Sequence, residues 1–85
     1  MRLMKKKNLQ NNAIPSLEEA LEAGTLRKLF GYQGQFVLIA SQKDVFDEIN
    51  LKEPVFLGIQ GLLVPFFIED FTESSQMEAI VTLRH

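Results

Sequence analysis

The chain has 85 residues, a formal net charge of −2 and no cysteine. This length accommodates one domain. Without thiols the chain has no disulfide framework, cysteine nucleophile or thiolate metal site, and we predict a reducing, cytoplasmic location. The one histidine, His85, lies at the last position, where a catalytic imidazole is improbable. We therefore expect neither histidine-dependent catalysis nor a histidine-rich metal site.

Charge is distributed unevenly along the chain. Residues 1–14 contain four basic side chains and no acidic one, whereas residues 15–85 contain the other five basic residues and all 11 acidic ones. Nucleic-acid binding draws most of its affinity from lysine and arginine contacts with phosphates. The acidic body therefore favours a protein partner over direct nucleic-acid binding. The alternative is an acidic excess that only confers solubility.

Residues 1–14 are predicted to form a flexible basic tail. Three consecutive lysines repel one another in a helix, and Asn8, Asn11 and Asn12 interrupt any hydrophobic periodicity. A disordered leader is the main interpretation, with a basic arm that contacts RNA as the alternative. No apolar core follows the basic residues, so the segment is not a secretory signal. The longest apolar run, residues 62–68, is far shorter than the about 20 residues of a membrane-spanning helix.

A short helical element and then a series of strands are predicted after the tail. The capping-box sequence Ser16-Leu17-Glu18-Glu19 indicates a short helix or turn over residues 16–22, which Gly24 ends. From Gly24 onward the hydrophobic period becomes that of β-structure. The predicted strands are residues 25–30, 36–39, 55–59, 62–71 and 77–84.

The connections between these strands are short, which indicates a small antiparallel barrel or sandwich. Gln60-Gly61 is predicted to be a hairpin turn, and the polar residues 42–53 a short helical turn or a loop pinned to the core. Pro65 cannot donate to a strand ladder, so it marks an edge, a bulge or a barrel corner. The interior is expected to contain Phe36, Leu38, Phe56, Val64, Val81 and Leu83.

No set of side chains in the sequence forms a catalytic or metal-binding constellation, so we predict no enzyme activity and no cofactor. The paired carboxylates Glu69-Asp70 and Asp47-Glu48 are interpreted as a solvated rim, because neighbours in a strand point to opposite faces. By the same geometry, one of Phe66 and Phe67 is expected to be exposed or covered by a second copy of the chain. This predicts weak self-association.

The turn between the first two predicted strands is the candidate recognition surface. Gly31 and Gly34 do not form a phosphate loop, because a strand and not a helix follows them. Aromatic and cationic side chains surround the glycines, a combination typical of contact anchors. Two alternatives are that the glycines only shape the turn and that Phe30 and Tyr32 plug the barrel end. The candidate partner-binding residues are Lys28, Phe30, Gly31, Tyr32, Gln33 and Gly34.

Residues 24–36, GTLRKLFGYQGQF, resemble the opening of the ribosome maturation factor RimM family. In that family a strand that begins with glycine leads into a Lys-x-His-Gly-x-Lys-Gly-Glu-like turn. Residues 53–57 and 60–69 resemble the same family's next hairpin, particularly in its Bacteroidetes-like form, so the resemblance covers residues 24–83. Three positions depart from the pattern, and the turn loses charge while it keeps its glycines: Phe30 replaces His, Gln33 replaces Lys or Arg, and Gln35 replaces Glu.

The resemblance implies a six-stranded antiparallel β-barrel similar to the second domain of translation elongation factors. It places one barrel domain at residues 15–85, without the family's second, PRC-type barrel. It also implies a non-enzymatic role in small-subunit assembly and rRNA processing, through contact with a small-subunit head protein and nearby ribosomal RNA. By its match to the family's lysine, Lys28 is the favoured contact. The second hypothesis is a stand-alone β-barrel adaptor, unrelated to the ribosome, that uses an exposed strand edge or aromatic patch.

Overall fold

The computed structural model describes residues 1–6, 20–29 and 34–84. These residues form six strands and one short 3-10 helix at Val45–Glu48, and they include no α-helix. The strands are β1 (Arg2–Lys6), β2 (Ala20–Lys28), β3 (Gln35–Ala40), β4 (Val55–Ile59), β5 (Leu62–Glu73) and β6 (Glu78–Arg84). They close into an antiparallel barrel in the order β1-β2-β3-β6-β5-β4. The predicted six-stranded antiparallel barrel is confirmed.

Strand alternation fills the barrel interior. In β6, Ala79, Val81 and Leu83 are buried, while the residues between them are half-buried or exposed. Leu38 of β3 pairs with Leu26 of β2 on one side and with Ala79 on the other, so all three point inward. Burial of each large aliphatic side chain contributes about 1.5–3 kcal/mol. The interior is therefore a packed core.

The two ends of the barrel differ in what they carry. Strands β1, β3 and β5 begin, and β2, β4 and β6 end, at the end here termed the upper end. The β2–β3 connection and the β4–β5 hairpin turn lie there. The opposite, lower end carries the 3-10 helix, whose Val45 and Phe46 are buried in the core. The predicted helical turn pinned to the core within residues 42–53 is confirmed.

The expectation of a disordered leader is wrong for residues 2–6, which form β1. Leu3 pairs with Gly24 of β2 and with Leu57 of β4, and it is fully buried. Lys5 forms an ion pair with Glu48, with 2.9 Å between its Nζ and Oε2. Burial of Leu3 and two neighbouring ladders therefore order this charged segment. The remainder of the predicted tail, residues 7–14, lies outside the described residues.

The predicted helix or turn over residues 16–22 is wrong in its last part. Residues 20–22 belong to β2, where they pair with residues 4–6 of β1. Backbone pairing across the barrel overrides the helical preference of alanine, leucine and glutamate. Residues 16–19 lie outside the described residues.

The β4–β5 hairpin agrees closely with the sequence prediction. Gln60 and Gly61 have φ angles of 51° and 81°, the backbone of a two-residue type I′ turn. Pro65 pairs with Phe56 of β4, whereas the β5–β6 register begins only at Phe67. Among the described residues, the stretch of β5 that contains Pro65 is thus paired on the β4 side only. This is the edge environment that a proline tolerates.

Phe56 is buried, but it does not face the barrel interior as predicted. It alternates with Val55 and Leu57, which belong to the core cluster, so it points to the opposite face of β4. There it pairs with Met4 and Pro65, and only 1% of its surface is exposed. The other predicted interior residues are buried (Leu38, Val81, Leu83) or half-buried (Phe36, Val64).

Candidate functional site

The structure describes both flanks of the predicted recognition turn. Lys28 is the last residue of β2, is exposed and pairs with Phe36 of β3. The Leu29 amide donates a hydrogen bond to the Gln35 carbonyl over 3.1 Å, which ties the two flanks together. The turn therefore leaves a pair of strands whose register is fixed, at the upper end. Four of the candidate site residues, Phe30, Gly31, Tyr32 and Gln33, lie outside the described residues.

Gly34 closes the turn in a conformation that requires glycine. Its φ is +75°, a region that costs other residues about 1 kcal/mol or more. Its carbonyl accepts a hydrogen bond from the Leu83 amide over 2.8 Å, so the turn is fastened to β6. A Cβ at Gly34 would lie 3.2 Å from the Leu83 carbonyl oxygen. The backbone conformation of Gly34 and its hydrogen bond therefore fix the position at which the chain enters β3.

Gly24, the first glycine of the same segment, has a packing role. It is buried between β1 and β3, where it pairs with Leu3 and Ala40. A Cβ there would lie 2.2 Å from the Ile39 carbonyl oxygen, well inside any permitted contact. The close approach of the two backbones therefore depends on glycine at this position.

The two cations before the turn point in different directions. Lys28 shares the inward side of β2 with the buried Leu26, whereas Arg27 pairs with Val37 on the outer surface. Both side chains are exposed, and neither forms an ion pair with any other described residue. Only Lys28 therefore lies on the inward side at this end of β2.

Charge is segregated between the two ends. The two residues of each strand nearest the upper end include no carboxylate, and those of β1, β2 and β6 include cations. Neither connecting sequence at this end, 29–34 or 60–61, contains a charged residue. The upper-end cations are Arg2, Arg27, Lys28 and Arg84. The lower end mixes lysines with six carboxylates: Asp44, Asp47, Glu48, Glu53, Glu73 and Glu78. This difference in charge between the two ends was not predicted, because the charge was summed over residues 15–85 as a whole.

Exposed apolar side chains lie at both ends of the barrel: Leu21, Leu51 and Met77 at the lower end, and Met1, Ile59 and Leu62 at the upper end. Ile59 and Leu62 face each other across the hairpin and are 39% and 69% exposed. Met1 lies beside Ile59, because Arg2 pairs with Gly58, and it is 48% exposed. Its amine donates to the Leu26 carbonyl over 3.0 Å, which holds it in place. The surface formed by Met1, Lys28, Ile59 and Leu62 is termed the mouth.

The phenylalanine pair divides as predicted between the two faces of β5. Phe66 packs against the core, and Phe67 lies beneath the Arg84 guanidinium, 5.1 Å from ring centroid to Cζ. Both rings are half-buried. Neither is a large exposed apolar surface, so among the described residues the exposed apolar area at the upper end comes from aliphatic side chains.

The predicted rim carboxylates are exposed. Glu69 and Asp70 lie at a register irregularity of β5, and Asp47 and Glu48 lie on the 3-10 helix. Two shallow cavities of about 230 and 330 Å³ flank that helix. Over residues 1–6, 20–29 and 34–84, no group of three or more metal-ligating side chains converges. Polar side chains are instead engaged in local contacts such as Asn50 with Glu53.

No helix within the described part of the chain is long and apolar enough to cross a membrane. Comparison with known proteins found no matching family model, no matching curated protein and no matching solved structure. The case for a family therefore depends on the residues of the two resembling segments.

Proposed function

We propose that this chain is a ribosome maturation domain that assists small-subunit assembly and rRNA processing by binding a small-subunit head protein. The role is one of binding, without catalysis or a cofactor, and it takes place in the cytoplasm. The observation that carries the proposal is the glycine-bearing segment 24–36, which resembles the opening of the ribosome maturation factor RimM family.

The backbone around this segment supports the proposal. Gly24 occupies a close approach of backbones, and Gly34 has a positive φ. Both glycines are therefore required by the shape of the β2–β3 unit, which is the element that the resemblance concerns. A closed six-stranded antiparallel barrel is also the architecture that the resemblance implies.

The proposed contact residues are the candidate set at the turn, with Lys28 as the charged member. Lys28 is exposed and is not ion-paired within the described residues. The acidic excess of residues 15–85 suits a basic ribosomal protein, and the proposal includes a peripheral contact with ribosomal RNA. Recognition on a loop mounted between fixed strands is a common arrangement.

Co-sedimentation with precursor small subunits on a sucrose gradient tests the proposal. The parent chain is expected to migrate with the precursors, and Lys28→Ala and Tyr32→Ala are expected to reduce the bound fraction by about fivefold or more. Lys43→Ala, an exposed lysine at the lower end, is the matched control and should bind like the parent. Failure of the parent to co-sediment would contradict the proposal. If Tyr32→Ala unfolds the chain, Tyr32 plugs the barrel and the contact assignment to it is wrong.

A second candidate, a protein-interaction adaptor unrelated to the ribosome, is favoured by the exposed aliphatic side chains of the mouth. Leu62 alone is 69% exposed. Such an adaptor would capture a non-ribosomal protein from a lysate and would leave precursor subunits unbound. Weak self-association belongs to either candidate, and analytical ultracentrifugation over a range of concentrations measures it.

A further inference from the structure

We infer that the mouth binds an acidic protein segment that places an apolar side chain between Met1, Ile59 and Leu62. The inference rests on the proposed function, which places the partner at the upper end of the barrel. It adds that the segment of the partner in contact with the mouth is acidic, although the ribosomal protein as a whole is basic.

Three apolar side chains form a row across the N-terminal end of β1, the end of β4 and the start of β5. Ile59 and Leu62 form the last cross-strand pair of the hairpin, and Met1 lies next to Ile59. Ile59 lies two residues after the buried Leu57 on β4, so it shares the inward side of that strand. Its cross-strand partner Leu62 therefore also points toward the barrel axis at its open end. Leu3 and Leu57, the next inward positions, are 0% and 3% exposed. The row is therefore the exposed margin of the core, and an apolar side chain placed on it extends that core.

Lys28 supplies the positive charge of the mouth. It is exposed and has no ion-pair partner among the described residues. Arg2 is paired with Glu22, and Arg84 lies on the outer face over the Phe67 ring, so neither belongs to the mouth. The two positions of each strand nearest this end contain no carboxylate. A carboxylate from a partner would therefore meet Lys28 and no like charge from these positions, which favours association.

The mouth suits a protein segment better than RNA. Single-stranded RNA is held largely by stacking of bases on flat aromatic or guanidinium faces. Among the described residues of the mouth, the exposed apolar side chains are aliphatic. An aliphatic margin beside Lys28 instead matches a peptide in which leucine-like and acidic residues are neighbours.

The test is an NMR titration of the isotopically labelled full chain at low ionic strength. The probe is a terminally blocked ten-residue peptide of alternating leucine and glutamate. We expect saturable amide shifts at Lys28, Ile59 and Leu62. Leu62→Ser and Lys28→Glu should each weaken binding by about five- to tenfold. The matched lower-end variants, Leu51→Ser and Lys52→Glu, should bind like the parent.

Control probes make the inference falsifiable. A leucine–lysine peptide and a serine–glutamate peptide should each bind at least about fivefold more weakly, since each lacks one half of the complement. Equal affinity for either peptide, shifts confined to the lower end, or stronger binding of an oligouridine would overturn the inference. So would concentration-dependent shifts at Leu62 without peptide, which would make the mouth an interface between two copies.

The outcome is separable from that of the ribosomal proposal. Peptide binding at the mouth without precursor-subunit binding keeps this inference and contradicts the proposed function. Precursor binding that persists in Leu62→Ser, together with no binding of the leucine–glutamate peptide, keeps the proposed function and contradicts this inference.

Discussion

The lower and upper ends of the barrel differ in what covers the core. At the lower end, Phe46 of the 3-10 helix is 8% exposed and packs edge-to-face on Phe71, with 5.2 Å between ring centroids. Leu51 and Met77 remain exposed at the same end. At the upper end, the Ile59–Leu62 pair is the last of the β4–β5 ladder, and Leu62 is 69% exposed. A helix side chain thus covers the core at one end, whereas the described part of the other end leaves apolar surface available for contact.

The largest effect is expected from uncovering the core at the lower end. Phe46→Ala removes a buried ring and its contact with Phe71, which should lower the free energy of unfolding by about 3–4 kcal/mol. Urea denaturation followed by circular dichroism measures this. Leu51→Ala, an exposed lower-end leucine, is the control and should change stability by less than about 0.5 kcal/mol. A loss below about 1 kcal/mol for Phe46→Ala would mean that the helix does not seal the barrel.

A smaller effect is expected where the recognition turn is fastened to β6. Gly34→Ala places a side chain at φ +75° and near the Leu83 carbonyl, and should cost about 1–2 kcal/mol. Gly58→Ala is the matched glycine control, because the nearest atom to its Cβ is 4.0 Å away. Thermal denaturation of both variants separates the two effects. Equal melting temperatures would show that the turn does not require this conformation.

The Lys5–Glu48 ion pair should contribute about 0.5 kcal/mol to the lower end, since 62% of the Glu48 side chain is exposed. A double-mutant cycle of Lys5→Ala and Glu48→Ala at low salt measures the coupling. The coupling should fall in 1 M sodium chloride, where charges are screened. A coupling unchanged by salt would indicate that the two side chains interact through packing and not through charge.

The smallest effect on stability is expected at the mouth. Leu62→Ser should change the free energy of unfolding by less than about 0.5 kcal/mol, because the side chain is mostly exposed. Chemical denaturation beside the parent measures it. A loss above about 1 kcal/mol would show that Leu62 is part of the core, and the contrast between the two ends would then be lost.

The hairpin could be predicted from sequence because its signals are local. Residues 55–59 and 62–71 are rich in β-forming residues, and Gln60-Gly61 between them supplies the two-residue turn. The strand β1 could not be predicted in this way. Its sequence is mostly basic, and its order comes from Leu3 inserted between β2 and β4, which are distant in sequence.

The position of the β2–β3 connection was predictable, because the glycines of segment 24–36 mark it. Lys28 ends β2 and Gly34 precedes β3, and the role of these residues as a binding site stays a prediction. The mouth depends on Met1 and Ile59 being neighbours, which only barrel closure produces. The face to which Phe56 points was also missed, because a run of five apolar or small residues from Val55 gives no alternation to read.

Closure of the barrel by β1 has a consequence for biosynthesis. The strand leaves the ribosome well before β4, to which Arg2, Leu3 and Met4 must pair. Until residue 58 has been synthesised, β1 has an unsatisfied strand edge, a template for pairing with other chains. The edges of β3 and β5 stay open longer, until β6 is made and joins them. Such long-range pairings are slow because the entropy of closing a long loop opposes them. During translation β1 therefore waits for one of its two partners.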